Sequence, residues 1–179
     1  MTKKKISCFD FDGTLVSTPI GSPENKEKWE KHYGLKWKYL GWWGRDESLD
    51  TDVWEMKPVE EVFDAYQKEV KDPQTVTVLL TGRLQKQDHL VKAITDKIGY
   101  KFDHYLFNQR GGTLQNKLTH LMNLLSMYPD VREVELWDDR LEHFKDFEEW
   151  GRILKERGRI DSFYLNKIKS DQWDKFIYY

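Results

Sequence analysis

Three short runs of apolar and β-branched residues, Ile6–Phe9, Val76–Leu80 and Val134–Trp137, stop abruptly at polar neighbours. Runs of this length without polar alternation predict strands covered on both faces. His104–Phe107 and Asp161–Leu165 are weaker runs of the same kind, so the pattern predicts about five strands. Between them the apolar positions recur at helical spacing. Val59, Val62, Phe63, Tyr66 and Val70 make one stripe, and Leu84, Val91, Ile94 and Ile98 a second. A third holds Leu114, Leu118, Leu121, Met122 and Leu125, and a fourth Leu141, Phe144, Phe147 and Leu154. Strands alternating with amphipathic helices predict an α/β three-layer sandwich: a mainly parallel five-stranded sheet with helices on its faces. In such sheets ligands gather at the carboxyl ends of the strands.

The stretch 17–57 breaks this rhythm. It is polar, holds Pro19 and Pro23, and concentrates Trp29, Trp37, Trp42, Trp43 and Trp54. Lying between the first strand and its crossover helix, it is expected to form a small Trp-rich cap over the site. The chain of 179 residues suits one catalytic domain, 1–179, with the cap as an insertion. The aromatic tail Asp171–Tyr179 is expected to pack back on the domain.

Charge and cysteine usage narrow the chemistry. Lys plus Arg number 29 against 31 Asp plus Glu, so no overall basic field attracts a phosphate backbone and any nucleic-acid contact must be local. Cys8 is the single cysteine, which excludes an internal disulfide and a cysteine-rich metal site. No apolar run reaches the length of a membrane span or a signal-sequence core. A soluble cytoplasmic protein with no membrane partner is expected.

The candidate chemistry sits where strands end. The first run leads into Phe9-Asp10-Phe11-Asp12-Gly13-Thr14-Leu15, two carboxylates one residue apart before a glycine turn. This resembles the first motif of the haloacid dehalogenase superfamily in its phosphatase form, whose fold is a Rossmann-like sandwich. The resemblance implies that Asp10 is a nucleophile forming an aspartyl-phosphate, and that Asp12 protonates the leaving alcohol and then activates water. Gly13 permits close backbone approach to phosphoryl oxygens. The second run is followed by Thr81-Gly82-Arg83. In the resembled family a hydroxyl at the position of Thr81 donates to the phosphoryl group and the chain reverses at the glycine. Arg83 fits either a bidentate grip on substrate phosphate or a solvated helix start.

The third strong run ends at Trp137-Asp138-Asp139-Arg140. Paired acids brought beside Asp10 would repel unless a cation lay between them, and oxygen-only ligation suits Mg2+. The resemblance assigns metal contacts to Asp10, the backbone carbonyl of Asp12, Asp138 and, directly or through water, Asp139. Either acid of the pair also fits a helix cap. A cation must balance nucleophile and phosphoryl group. Lys117, beside the apolar stripe that starts at Leu114, answers to the family's third motif, with Arg110 near Gly111-Gly112 as the fallback. His143 and Phe147 read as a partly exposed histidine and a core phenylalanine, and no histidine spacing predicts zinc.

Gly41-Trp42-Trp43-Gly44 places paired indoles between glycines, which fits either a cap mini-core or a ring stacked on a base in the cleft. With Asp138-Asp139-Arg140, His143 and Phe147, this segment resembles the haloacid dehalogenase domain of Swiss Army Knife RNA-repair proteins. The expected partner is therefore a phosphorylated substrate, a nucleotide or a polynucleotide end. A small phosphorylated metabolite is the alternative, and a non-catalytic nucleic-acid-repair module with this fold the competing class.

Overall fold

The computed structural model describes residues 2–169; the aromatic tail Asp171–Tyr179 lies outside them. Five strands form one sheet: β1 (Lys5–Phe9), β4 (Thr75–Leu84), β5 (His104–Asn108), β6 (Glu133–Asp138) and β7 (Ser162–Lys167), in the order β5-β4-β1-β6-β7. Every pairing in it is parallel. Two further strands, β2 (Val16–Ser17) and β3 (Lys57–Pro58), pair antiparallel. The helices are α1 (Pro23–Tyr33), α2 (Glu60–Glu69), α3 (Asp88–Ile98), α4 (Thr113–Met127) and α5 (Leu141–Glu156).

Two cores flank the sheet because alternate strand side chains point to opposite faces. Ile6, Cys8, Val76, Val78, Val134 and Leu136 pack with Leu121, Leu124 and Leu125 of α4 and with Phe147 and Leu154 of α5. Phe9 and Leu79 pack on the other face with Val62 and Tyr66 of α2 and Val91 and Ile94 of α3. Apolar strands therefore read as continuous runs, while α2, α3, α4 and α5 each show a stripe. Among the described residues no helix is long and apolar enough to cross a membrane.

Strand β4 departs from the sequence reading. It runs on through Thr81, Gly82 and Arg83 to Leu84, with a register shift between Leu80 and Leu84. No chain reversal occurs at Gly82, and Leu84 belongs to the strand rather than to the helical stripe. Gly82 is instead a close-packing glycine: a Cβ there would lie 2.7 Å from Thr113 Cγ2. An extended polar segment continues as a strand here because it still pairs with β5, at Leu84 and Asn108.

Residues between β2 and β3 hold α1, a 3-10 turn at Asp46–Leu49 and a separate core of Trp29, Trp42, Val53 and Trp54. Helix α1 was not evident from hydrophobic spacing, since Trp29 is its one buried residue. Its end signals are nevertheless in the sequence. Ser22 Oγ accepts a bond from Asn25 N at 3.2 Å, Pro23 opens the helix and Gly34 closes it at φ +66°, the favoured residues for those places.

Candidate active site

Strands β1 and β6 are neighbours at the point where the chain, having built the β4 and β5 side of the sheet, crosses to build the other. Such a crossing opens a crevice at the carboxyl ends of the strands. Phe9 pairs in register with Trp137, and the Asp10 N–H continues the ladder to the Trp137 carbonyl at 2.9 Å. The acids following each strand are thereby brought side by side. After Asp10 the chain turns back on itself: Leu15 N–H donates to the Asp10 carbonyl at 3.1 Å and Gly13 N–H to the Val16 carbonyl at 2.8 Å. Gly13 has φ +69°, a conformation that costs a side-chain-bearing residue about 1 kcal/mol.

Lys117 rises from the second turn of α4 between these acids. Its Nζ lies 2.9 Å from Asp10 Oδ1 and 2.6 Å from Asp138 Oδ2, and the lysine is 1% exposed. Asp138 also accepts the Arg140 N–H at 2.9 Å through Oδ1, so one carboxylate both meets Lys117 and orders the start of α5. Asp10, Asp138 and Asp139 are all buried, and each offers an oxygen within 4.8 Å of the others.

Burial pushes the Asp10 carboxyl up to about 7; Lys117 opposes that rise, whereas Asp138 and Asp12 add to it. Burial acts against the charge of Lys117, but Asp10 and Asp138 outweigh it and hold the ammonium above its ordinary range. With two carboxylates against Lys117 this corner of the pocket is rich in acid, and Asp10 and Lys117 both hold their protons more tightly than usual. His143, in the first turn of α5, is buried rather than partly exposed, because that turn packs beside the acids. Burial lowers its pKa, with Lys117 and Arg140 next. Its ring meets Phe147 edge-on at 5.9 Å, and Phe147 is core at 1% exposure.

The Asp12 carboxylate is not part of the acid cluster, although it lines the same cleft as Asp10. The Asp12 carboxylate accepts three bonds from Arg83, at 2.7, 2.9 and 3.2 Å, and one from Thr18 Oγ1 at 2.8 Å. Arg83 is neither solvated nor at a helix start; it is 1% exposed and inside β4. Thr81 is buried, and its hydroxyl accepts the Arg83 N–H at 3.1 Å. The paired indoles divide. Trp42 is 5% exposed in the cap core, with Nε1 donating to the Pro19 carbonyl at 2.8 Å, whereas Trp43 faces the cleft.

That cleft, of about 160 Å3, is lined by Asp10, Asp12, Trp43, Gly82, Arg83, Thr113, Lys117 and Arg140. Thr81 and Gly13 are not among the residues that line it. Arg110 is exposed in the loop before α4, at φ +93°, and does not line it. Thr113 is not marked by the sequence, and Arg140 enters there only within the Asp138-Asp139-Arg140 motif, without a role; their signal is position, just after the carboxyl ends of β5 and β6. A shallower hollow between α5 and β7, lined by Glu148, Gly151, Arg152, Lys155, Glu156 and Phe163, holds no comparable group of acids with a buried cation.

The donor set fits a hard divalent ion. Three carboxylates without a thiol or imidazole match the oxygen preference of Mg2+, and Asp10, Asp138 and Asp139 are the residues that would hold it.

The model of the family described as HAD domain family 1 in Swiss Army Knife RNA repair proteins matches residues 25–172. The match spans Thr81, Lys117 and Asp138 and begins after Asp10 and Asp12. None of the curated proteins matches the chain. Among solved structures, the archaeal β-phosphoglucomutase of the hyperthermophilic Pyrococcus sp. strain ST 04 is similar, with 13% identity, 84% of each chain covered and a TM-score of 0.49.

Proposed function

We propose, for a chain that belongs to HAD domain family 1 in Swiss Army Knife RNA repair proteins, a Mg2+-dependent phosphomonoesterase with Asp10 as nucleophile. The observation that carries this reading is the buried Asp10, Lys117 and Asp138 contact, with Asp139 alongside, at the carboxyl edge of the sheet. Pairing with two carboxylates offsets the cost of burying the Lys117 ammonium and leaves a fixed cation beside Asp10, which phosphoryl transfer needs. Mg2+, if held by Asp10, Asp138 and Asp139, would supply charge neutralisation at the phosphoryl oxygens.

An Asp10 carboxylate oxygen attacks phosphorus, and the bond from phosphorus to the ester oxygen breaks as Asp12 gives that oxygen a proton. Water then attacks the aspartyl-phosphate. Asp12 takes the water proton, inorganic phosphate leaves and Asp10 is regenerated. Lys117 offsets charge at the reacting centre, and the hydroxyls proposed to donate to phosphoryl oxygens are those of Thr81, at the end of the apolar run of β4, and Thr113, which lines the cleft. Thr81 also accepts the Arg83 N–H.

The proposed substrate is a nucleotide or a polynucleotide terminal phosphate. It is supported by the Trp43 indole in the cleft, where a base can stack, and by the RNA repair proteins in which the family is found. The size of the cleft, about 160 Å3, favours a second reading, a small phosphorylated metabolite, since it seats little beyond a phosphate and a sugar-sized group. A reducing cytoplasmic setting accords with the single, buried thiol of Cys8.

The test is phosphate release from a generic aryl phosphate with Mg2+ and with EDTA, by the wild type and Asp10→Asn. Activity confined to wild type with Mg2+ is expected; equal rates in the two proteins overturn the nucleophile assignment, and no release by either leaves the non-catalytic module. Parallel assays on mononucleotides, sugar phosphates and 3′- or 5′-phosphorylated oligonucleotides then decide the substrate, and equal efficiency on all of them removes the nucleotide reading.

A further inference from the structure

Arg83 reaches in two directions. Toward the sheet, Nε donates to Asp12 Oδ2 at 2.9 Å and Oδ1 at 3.2 Å, and Nη2 donates to Oδ1 at 2.7 Å. Toward the cap, Nη1 donates to the Trp43 carbonyl at 2.7 Å and the Ser48 hydroxyl at 2.5 Å. The guanidinium carbon lies 5.0 Å from the centre of the Trp43 ring, and the side chain is 0% exposed.

We propose that Arg83 is a positioning residue that makes the orientation of Asp12 depend on the seating of the cap. The inference rests on the reading of Asp12 as proton donor and acceptor. Its physical basis is the inventory of a buried guanidinium. The donors occupied by Trp43 and Ser48 have no water to fall back on, so a displaced cap strands them, and a buried donor without a partner is costly. The planar fork transmits that loss, because Nη1 cannot follow a shifted cap without rotating Nε and Nη2 off the carboxylate. Thr18, in the chain leading from β2 into the cap, adds a second tether to Asp12 Oδ1. Substrate that seats the cap would thus set the proton-transfer group at the same time.

The experiment uses the full chain with Mg2+ and phosphomonoesters whose leaving groups run from dinitrophenol to a simple alkyl alcohol. Dinitrophenolate leaves without a proton; an alkoxide does not. Arg83→Gln is expected to slow the alkyl ester about 100-fold and the dinitrophenyl ester less than about threefold. Arg83→Lys keeps the charge but not the fork and should recover only part of the alkyl rate. Ser48→Ala touches Asp12 nowhere, yet should slow the alkyl ester selectively, by about three- to tenfold. It decides the matter alone if an Arg83 variant does not fold, which circular dichroism reports. Equal losses across the series, or Ser48→Ala indistinguishable from wild type, overturn the coupling. A rise in KM by one factor for every ester also overturns it, and makes Arg83 a direct phosphate ligand. Wild-type protein inert to every ester defeats the phosphatase reading itself, a result distinct from these.

Discussion

Replacing Asp10 by Asn removes one carboxylate from a buried pocket in which Asp10, Asp138 and Asp139 lie close together and Lys117 bridges Asp10 and Asp138. In the metal-free fold Asp10 holds its proton up to about pH 7, against an ordinary 3.8. At about 1.4 kcal/mol per tenfold change in proton affinity, ionising Asp10 inside the fold costs on the order of 4 kcal/mol relative to ionising it in the unfolded chain. The sign follows from proton binding. The native state holds the proton more tightly, so stability falls as pH rises from 3.8 toward 7 and is level above that. Asn has the same shape, keeps an oxygen for Lys117 and never ionises. With EDTA present, Asp10→Asn should therefore exceed wild type by roughly 4 kcal/mol at pH 8 and by about half that at pH 5. Urea denaturation followed by tryptophan fluorescence measures both. Mg2+ should narrow or reverse the difference, because the ion binds the intact acid cluster better. A substitution that destabilises at pH 8, or a difference equal at the two pH values, refutes the account of the pocket as overcharged.

Lys117→Met should cost about 3–5 kcal/mol in the metal-free protein, since it strands two buried carboxylates, and should abolish phosphate release; denaturation and an aryl phosphate assay check the two effects. Gly151→Ala would drive a methyl into the Phe163 ring and push α5 off β7, costing about 1–3 kcal/mol, while kcat of the folded fraction stays at the wild-type level because the cleft is elsewhere. Trp42→Ala should lower stability by about 3–5 kcal/mol by emptying the cap core. Trp43→Ala should instead raise KM about tenfold for nucleotide esters and little for sugar phosphates, a contrast that parallel melting and steady-state kinetics resolve.

The sheet was legible because its strands are covered on both faces, and a short apolar run bounded by polar residues suits a doubly covered strand and little else. Asp10, Asp138 and Lys117 were legible for a related reason. Polar groups that interrupt apolar elements at their ends must be satisfied together, and a parallel sheet collects such ends on one edge. Helix α1 was not legible from periodicity, since a helix burying one tryptophan has no stripe; its caps alone announced it. The continuation of β4 through Arg83 depended on pairing with β5, which no local pattern contains.

Sequence alone determined the order of the five sheet strands and of the four helices that carry apolar stripes, the acids at the ends of β1 and β6 and the clustering of tryptophans between β1 and α2, because periodicity and residue chemistry are local properties. Tertiary structure decided that Trp42 is core and Trp43 faces the cleft, although the two are adjacent and identical in kind. It also decided that Arg83 is a buried bridge to Asp12 rather than a free cation. Those outcomes rest on which distant groups share a buried volume, Asp12, Trp43, Ser48 and Arg83 among them, and burial is a property of the assembled fold, which alone sets the cost of leaving a charge or donor unpaired.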